Sequence, residues 1–476
     1  MRPPASTLLS ANLSLLPQSL VTHADIDYGL AQIKGELCLV VAAPRGCPAL
    51  AAFSGDRAEL GERLLLIAPR NASNATALRE QLPWLRPRLL GLQTSAGLGD
   101  RLGLATPGHV RAMQKAGNGI APIFAQQSMR ENARTGRTPQ QVLDDATWGI
   151  FQENWQSSYG ADADHLKTTE DIDFCLHAGY TFFTIDPGEY VDSRAETAPI
   201  SELRGLAAAL PRELQPQTTG LLYTTLRIEH LTLTFDEHTL LKTIVKYGRA
   251  VKHVADMAHH LSRQSGARPY ELEVSVDETE QPTSHAEHAY IASELKRLGV
   301  AWISLAPRYL GSFEKGVDYI GDVSGFEADT AGHAAIARYF GPYKLSLHSG
   351  SDKFSIYPAV VSQTRGLVHL KTAGTSYLEA LRTIAALDTD LFQEIYTFAR
   401  QRYEADRVSY HVSAELARAP LPGQVEDWPA LLDQFDARQI LHVTFGSVLT
   451  ARADDGKPTF SERLMALLRS NAEPYA

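Results

Sequence analysis

From about residue 89 the chain repeats one pattern: a short apolar or alternating segment, then in most cases a helix-length amphipathic stretch. The short segments are LLGLQTS (89–95), IAPIFAQQ (120–127), GADADHLK (160–167) and YTFFTIDP (180–187). Four more follow: YELEVSVDE (270–278), VAWISLAP (300–307), YKLSLHSG (343–350) and GLVHLKT (366–372). Stretches such as TEDIDFCLHAG (169–179) and EHAYIASELKRLG (287–299) between them carry the helical period. Eight strands alternating with helices predict an α/β fold, a (β/α)8 barrel of the TIM type over 89–380.

The flanking regions depart from this rhythm. Residues 1–88 mix apolar pieces (ELCLVVAAP, RLLLIAPR) with Ser, Asn and Pro breaks, predicting an N-terminal α/β extension. The connection from the fourth to the fifth strand is too long for a simple crossover. It holds LPRELQPQTTG (210–220) and an amphipathic run over about 236–265, predicting a helical insertion at about 190–268. Residues 381–476 read as a mostly helical extension packed on the barrel.

Composition narrows the function classes. The net charge is -10 with no dense Lys/Arg stripe, which argues against a nucleic-acid groove. The three cysteines form no CxxC pair, which fits a reducing compartment and leaves neither a disulfide framework nor a zinc knuckle. The interrupted apolar residues of MRPPASTLLSANLSLLPQSL do not read as a signal peptide, and no run of about 18 apolar residues occurs. The expectation is a cytoplasmic protein acting on a small molecule, with no membrane or nucleic-acid partner.

Barrel enzymes carry their chemistry at the C-terminal ends of strands, so each strand end is a candidate. The first leads into SAGLGDRLGLATPGH, whose glycine spacing is a weak dinucleotide signal without an acidic residue at the expected strand end. The second ends in Gln126, Gln127 and Ser128, the third in Asp162, Asp164, His165 and Lys167, and the fourth in Asp186. On the fifth, Glu271, Glu273, Ser275 and Asp277 share one face and Leu272, Val274 and Val276 the other. The acidic face points inward, where unpaired carboxylates would be costly, so a cation or hydrogen-bond donors should meet them. Glu271 reads as a bottom-rim residue and Asp277 as a functional one. The sixth strand offers Arg308, Glu314 and Lys315; the seventh offers His348 before a polar turn, Ser349 to Lys353; the eighth carries His369 and Lys371 on one face. Two histidines and carboxylates from different strands suit a divalent metal with open positions for substrate oxygens. His109, His285, His411 and His442 are weaker candidates.

Several long motifs carry a family resemblance. SAGLGDRLGLATPGH, GADADHLKT, VSVDETEQPTS, FEKGVDYIGD, LSLHSGSDKFSIYP and HLKTAGTSYLEALR together resemble the tagaturonate epimerase family, from about residue 90 to the C-terminus. The resemblance implies a metal-dependent C4 epimerase acting on ketohexuronates or on neutral ketohexoses such as tagatose and fructose. The metal would be a divalent cation (Zn, Mn, Ni or Co). The chemistry is demanding, because the C4 proton of a 2-ketose is not α to the C2 carbonyl. The C3–C4 bond is an aldol bond, so retro-aldol cleavage, rotation of the aldehyde and recondensation would invert C4. Moving the carbonyl transiently to C3 is the alternative, and both routes need two acid/base groups.

The roles that follow are a metal held by His165, Glu314 and His348, with Asp277 next in line, and Asp164 and Asp277 as the acid/base pair. Strict alternation sends Asp164 and His165 to opposite faces, so both can serve only where the strand has ended. Gln127, Arg308, Ser351 and Lys353 would bind substrate hydroxyls or carboxylate; Lys344 or Lys371 could bind the carboxylate instead. Rival readings are a metal-dependent sugar isomerase or aldolase on the same barrel, and a non-catalytic sugar-binding barrel.

Overall fold

The computed structural model describes residues 7–348, 351–372 and 374–476. Eight parallel strands close a barrel: β1 (Ser95–Gly97), β2 (Ala121–Ser128), β3 (Gly160–Leu166), β4 (Phe182–Ile185), β5 (Glu271–Ser275), β6 (Ser304–Ala306), β7 (Lys344–His348) and β8 (Val368–Lys371). β8 pairs back onto β1 through His369 and Ser95, so no edge is left open. The alternation on β5 sorts as its chemistry demands. Leu272 and Val274 join the apolar core under the helices, while Glu273 and Ser275 point into the barrel.

The first strand lies later than LLGLQTS predicts. Gly91 adopts φ 58, a left-handed turn that stops an extended run there, and pairing begins only at Ser95. The freed backbone has a use: Leu90 N (3.2 Å) and Gly91 N (2.5 Å) donate to the Glu271 carboxylate and close the barrel floor. Glu271 is therefore a bottom-rim residue, as its place at the start of β5 predicts, but buried rather than solvated.

The N-terminal region is mainly β: six short strands in an antiparallel sheet, with the helix Ala72–Gln81 covering one face. Between β4 and β5 lie 3-10 turns, a hairpin (Thr224–Ile228 and Leu231–Phe235) and the 29-residue helix Glu237–Ser265. That helix packs between the helices Thr169–Ala178 and His285–Arg297, in the place of the barrel's own crossover helix. After β8, the helices Thr375–Leu387, Thr389–Asp406, Phe435–Val443 and Ser461–Ser470 build a second apolar core. No helix among the described residues is long and apolar enough to cross a membrane.

Candidate active site

The C-terminal mouth of the barrel gathers its polar side chains through one irregularity. Phe183 of β4 pairs with Ala163, but Ile185 pairs with Leu166, so two residues of β3 stand opposite Thr184. This is a bulge, and its second residue, His165, adopts φ 53. A left-handed conformation costs a non-glycine residue about 1–2 kcal/mol. In return, Asp164 and His165 both reach the interior from adjacent positions, with His165 Nδ1 2.7 Å from Asp164 Oδ1.

His165 meets a second histidine across the mouth. The rings of His165 and His348 lie 5.0 Å apart. Asp277, just past the end of β5, presents Oδ1 3.3 Å from His348 Nδ1 and 3.8 Å from His165 Nε2. The remaining nitrogen of each imidazole faces a carboxylate: Asp164 for His165, and Glu273 for His348 at 2.8 Å. Such a carboxylate fixes the tautomer of a metal-binding histidine and strengthens it as a ligand. One ligand atom each from His165, Asp277 and His348 lies within 4.8 Å of the other two. The residues therefore fit a divalent ion by donor chemistry, two nitrogens and one oxygen, and by their supporting carboxylates.

Beneath this group, Lys371 of β8 spans the barrel. Its ammonium lies 3.0 Å from Asp162 Oδ2, 2.7 Å from Asp164 Oδ1 and 2.8 Å from Glu273 Oε1, and it donates to Thr184 Oγ1 at 2.6 Å. Three buried carboxylates around one buried cation set the local titration. Burial would raise Asp164 and Glu273, but Lys371 and the histidines hold both well below the usual carboxylate range. Asp162 is pushed up instead, by burial and then by its acidic neighbours. Burial would lower both histidines, yet Asp164 brings His165 up to about 10, and Asp277 brings His348 up to about 9.

Similarity to known proteins extends well beyond the motifs. Residues 16–476 match the sequence profile of a family described as tagaturonate epimerase. The tagaturonate/fructuronate epimerase of Thermotoga maritima is 44% identical over 442 residues, covering 92% of this chain and 88% of that one. The chain belongs to the tagaturonate epimerase family. It is an enzyme, a carbohydrate epimerase of the isomerase class. The fructuronate-tagaturonate epimerase of Cohnella laeviribosi, solved with one glycerol bound, superposes with a TM-score of 0.91 at 36% identity. The match covers 98% of this chain and 94% of that one, and the native form of the same protein gives 0.92.

Around the histidine pair, this epimerase lines the mouth with residues the sequence named and others it did not. Asp164, His165, Asp277 and His348 come together. Arg308 stands beside Asp277 in the adjoining part of the mouth. Glu314 does not join the group. Its Oε2 accepts from Ser413 N and Oγ (both 2.8 Å) and from Gln439 Nε2 (2.9 Å), which ties the loop after β6 to the C-terminal helices. Ser351 and Lys353 serve the same loop. Lys353 Nζ donates to the carbonyls of Glu314 (3.1 Å) and Val317 (2.6 Å) and to Ser351 Oγ (2.8 Å), while Gly316 N donates to that hydroxyl. Ser349 and Gly350 of the same turn lie outside the described residues. Gln127 points to Glu131 at 3.0 Å, and its neighbour Gln126 reaches the site, donating to Asp164 Oδ2 at 2.9 Å.

Alternation along β5 and β8 already put Glu273 and Lys371 on inward faces, but only the assembled barrel pairs them. Arg130, Glu278, Lys315 and Tyr410 also line the mouth. Tyr410 belongs to the C-terminal extension, and no local pattern in the sequence ties it to the barrel. His369 lies on the same inward face of β8 as Lys371, with Nδ1 2.9 Å from Ser95 Oγ; burial pushes it down to about 3, a neutral packing residue.

Proposed function

We propose that this epimerase interconverts D-tagaturonate and D-fructuronate by inverting C4, with a divalent cation held by His165, Asp277 and His348. The observation that carries the reading is the pair of histidines, each backed by its own carboxylate, meeting at Asp277 in the mouth of a barrel of this family. A cation bound there would supply Lewis-acid polarisation of the ketose oxygens and neutralise negative charge that develops on them.

The protein's own groups have distinct tasks. Asp164 is occupied by His165, Lys371 and Gln126, so it acts as a positioning residue rather than a proton carrier. Glu278, which lines the mouth 3.9 Å from His165 Nε2, accepts from Arg130 at 2.9 Å and would take up the O4 proton as Arg130 turns to the substrate carboxylate. Arg130 and Lys315 are the cations facing the mouth that suit the substrate carboxylate. The Lys315 ammonium enters no ion pair within 4.0 Å among the described residues, whereas Lys353 is fully engaged with its own loop. A carboxylate binding there would offset the burial that lowers the Lys315 pKa.

NMR of D-tagaturonate with metal-reconstituted protein is the deciding experiment, with D-tagatose in a parallel sample. The expected result is the C4 epimer from the uronate, without release of three-carbon fragments. Folded, metal-loaded protein that leaves tagaturonate unchanged would sink the proposal. Conversion of tagatose alone would overturn the uronate assignment.

A further inference from the structure

A second cluster of imidazoles lies outside the barrel, between the helices that follow β5 and β6. His285 opens the helix His285–Arg297, and Asp329 and His333 lie one turn apart on the helix Val323–Phe340. Spacing of i and i+4 puts Asp329 and His333 on one helix face. His285 Nε2 donates to the Asp329 backbone carbonyl at 3.0 Å, a bond a metal would replace, and lies 3.3 Å from Asp329 Oδ1; His333 Nε2 lies 3.6 Å from Asp329 Oδ2. One ligand atom from each of the three lies within 4.8 Å of the others. Bonds of about 2.0–2.1 Å in a tetrahedral site separate ligand atoms by about 3.3 Å, close to these spacings.

Two independent observations point into the cluster. His333 is fully buried, and its Nε2, facing Asp329, has no hydrogen-bond partner. Its other nitrogen lies 2.9 Å from His288 Nδ1, and His288 Nε2 lies 2.8 Å from Tyr343 Oη. In this relay His333 Nδ1 can keep its proton and donate to His288 Nδ1, which leaves His333 Nε2 with a lone pair toward Asp329, the support a ligating histidine has. The second observation is Gly332, where a Cβ would stand 2.3 Å from His285 Cε1 and Nε2. Only the missing side chain allows the ring to sit against the helix with Nε2 toward Asp329.

We propose that His285, Asp329 and His333 form a second divalent-metal site, of zinc type, that clamps the two helices outside the catalytic mouth. Water completes the coordination on the half-exposed side of His285. The site is structural: it joins the helix after β5 to the helix after β6, and His333 also packs edge-on against Tyr309, which lines the mouth.

Zinc stoichiometry measured on the full chain tests this. The wild type is expected to bind two equivalents and His285→Gln one. A chain carrying Asp277→Asn and His348→Ala should retain one equivalent and still gain thermal stability from zinc. Adding His285→Gln to that chain should remove both the equivalent and the stabilisation. A folded Asp277→Asn/His348→Ala chain that binds no zinc would overturn the second site. So would a bound equivalent that survives His285→Gln. If the double variant does not fold, an unchanged stoichiometry in His285→Gln alone overturns it equally.

Discussion

Asp164 and His165 are neighbours in one strand, yet His165 Nδ1 lies 2.7 Å from the Asp164 carboxylate and both face the barrel interior. Regular pleating forbids this, because successive side chains alternate between faces. The bulge opposite Thr184 and the left-handed turn at His165 remove the conflict. The strain stays local, and it delivers a histidine together with the carboxylate that orients it.

Replacing Asp164 with Asn should therefore weaken metal binding more than it alters the fold. Losing the carboxylate behind a ligating histidine lowers affinity by about 10–100-fold. Competition with a chromogenic chelator measures this directly. Unchanged affinity in a folded Asp164→Asn enzyme would mean that His165 needs no such support.

Lys371 balances Asp162, Asp164 and Glu273 in the barrel interior. Lys371→Met should destabilise the enzyme by about 3–5 kcal/mol, the cost of leaving buried charge uncompensated. The loss should shrink toward acid pH. Without the cation the carboxylates bind protons more readily in the folded state than in the unfolded one, so acid favours folding of the variant relative to wild type. Urea titrations at about pH 8 and about pH 5.5 check the sign, and a penalty equal at both would contradict it.

Much of this arrangement was legible in the sequence. Eight strand segments with the right spacing gave the barrel, and alternation on β5 gave the inward acids. Strand ends drew attention to His165, His348 and Asp277, but the ligand set expected with the family resemblance placed Glu314 ahead of Asp277. What the sequence hid were contacts of long range and breaks in regularity. Gln126 rather than Gln127 reaches the site because pairing with the adjacent β3 sets Gln126 opposite the inward Asp162 and Gln127 opposite Ala163. Glu314, Ser351 and Lys353 are polar and sit near strand ends, yet Ser351 and Lys353 brace the loop after β6 and Glu314 ties it to the C-terminal region. The partners of Glu314, Ser413 and Gln439, lie 99 and 125 residues away along the chain. The motifs shared with the family pointed to the activity, but a motif does not separate a ligand from a residue that shapes a loop.

Glu314 gives that distinction a direct test. Glu314→Gln keeps the shape but weakens the bonds to Ser413, near the segment that brings Tyr410 to the mouth. Metal stoichiometry should be unchanged, while KM rises several-fold and limited proteolysis near residue 410 accelerates. Loss of a metal equivalent would return Glu314 to the ligand set.

The raised histidine values set a pH dependence that the metal should reverse. In the metal-free enzyme His165 rises to about 10 and His348 to about 9, from 6.5 in the unfolded chain. A group whose pKa is raised on folding stabilises fully below its unfolded value and loses that contribution as pH rises through the folded one. The metal-free enzyme should therefore lose thermal stability between about pH 6.5 and about pH 10. The carboxylates around the histidines titrate far below this window and do not offset the loss. Metal requires both imidazoles deprotonated on the ligating nitrogen, so binding near pH 7 should release about two protons and tighten as pH rises. Titration calorimetry of His285→Gln, which isolates the barrel group, in buffers of different ionisation enthalpy counts those protons. Heat that does not vary with the buffer would show that the histidines are neutral before the metal arrives, and the charge balance described around Asp164, Asp277 and Lys371 would then be wrong.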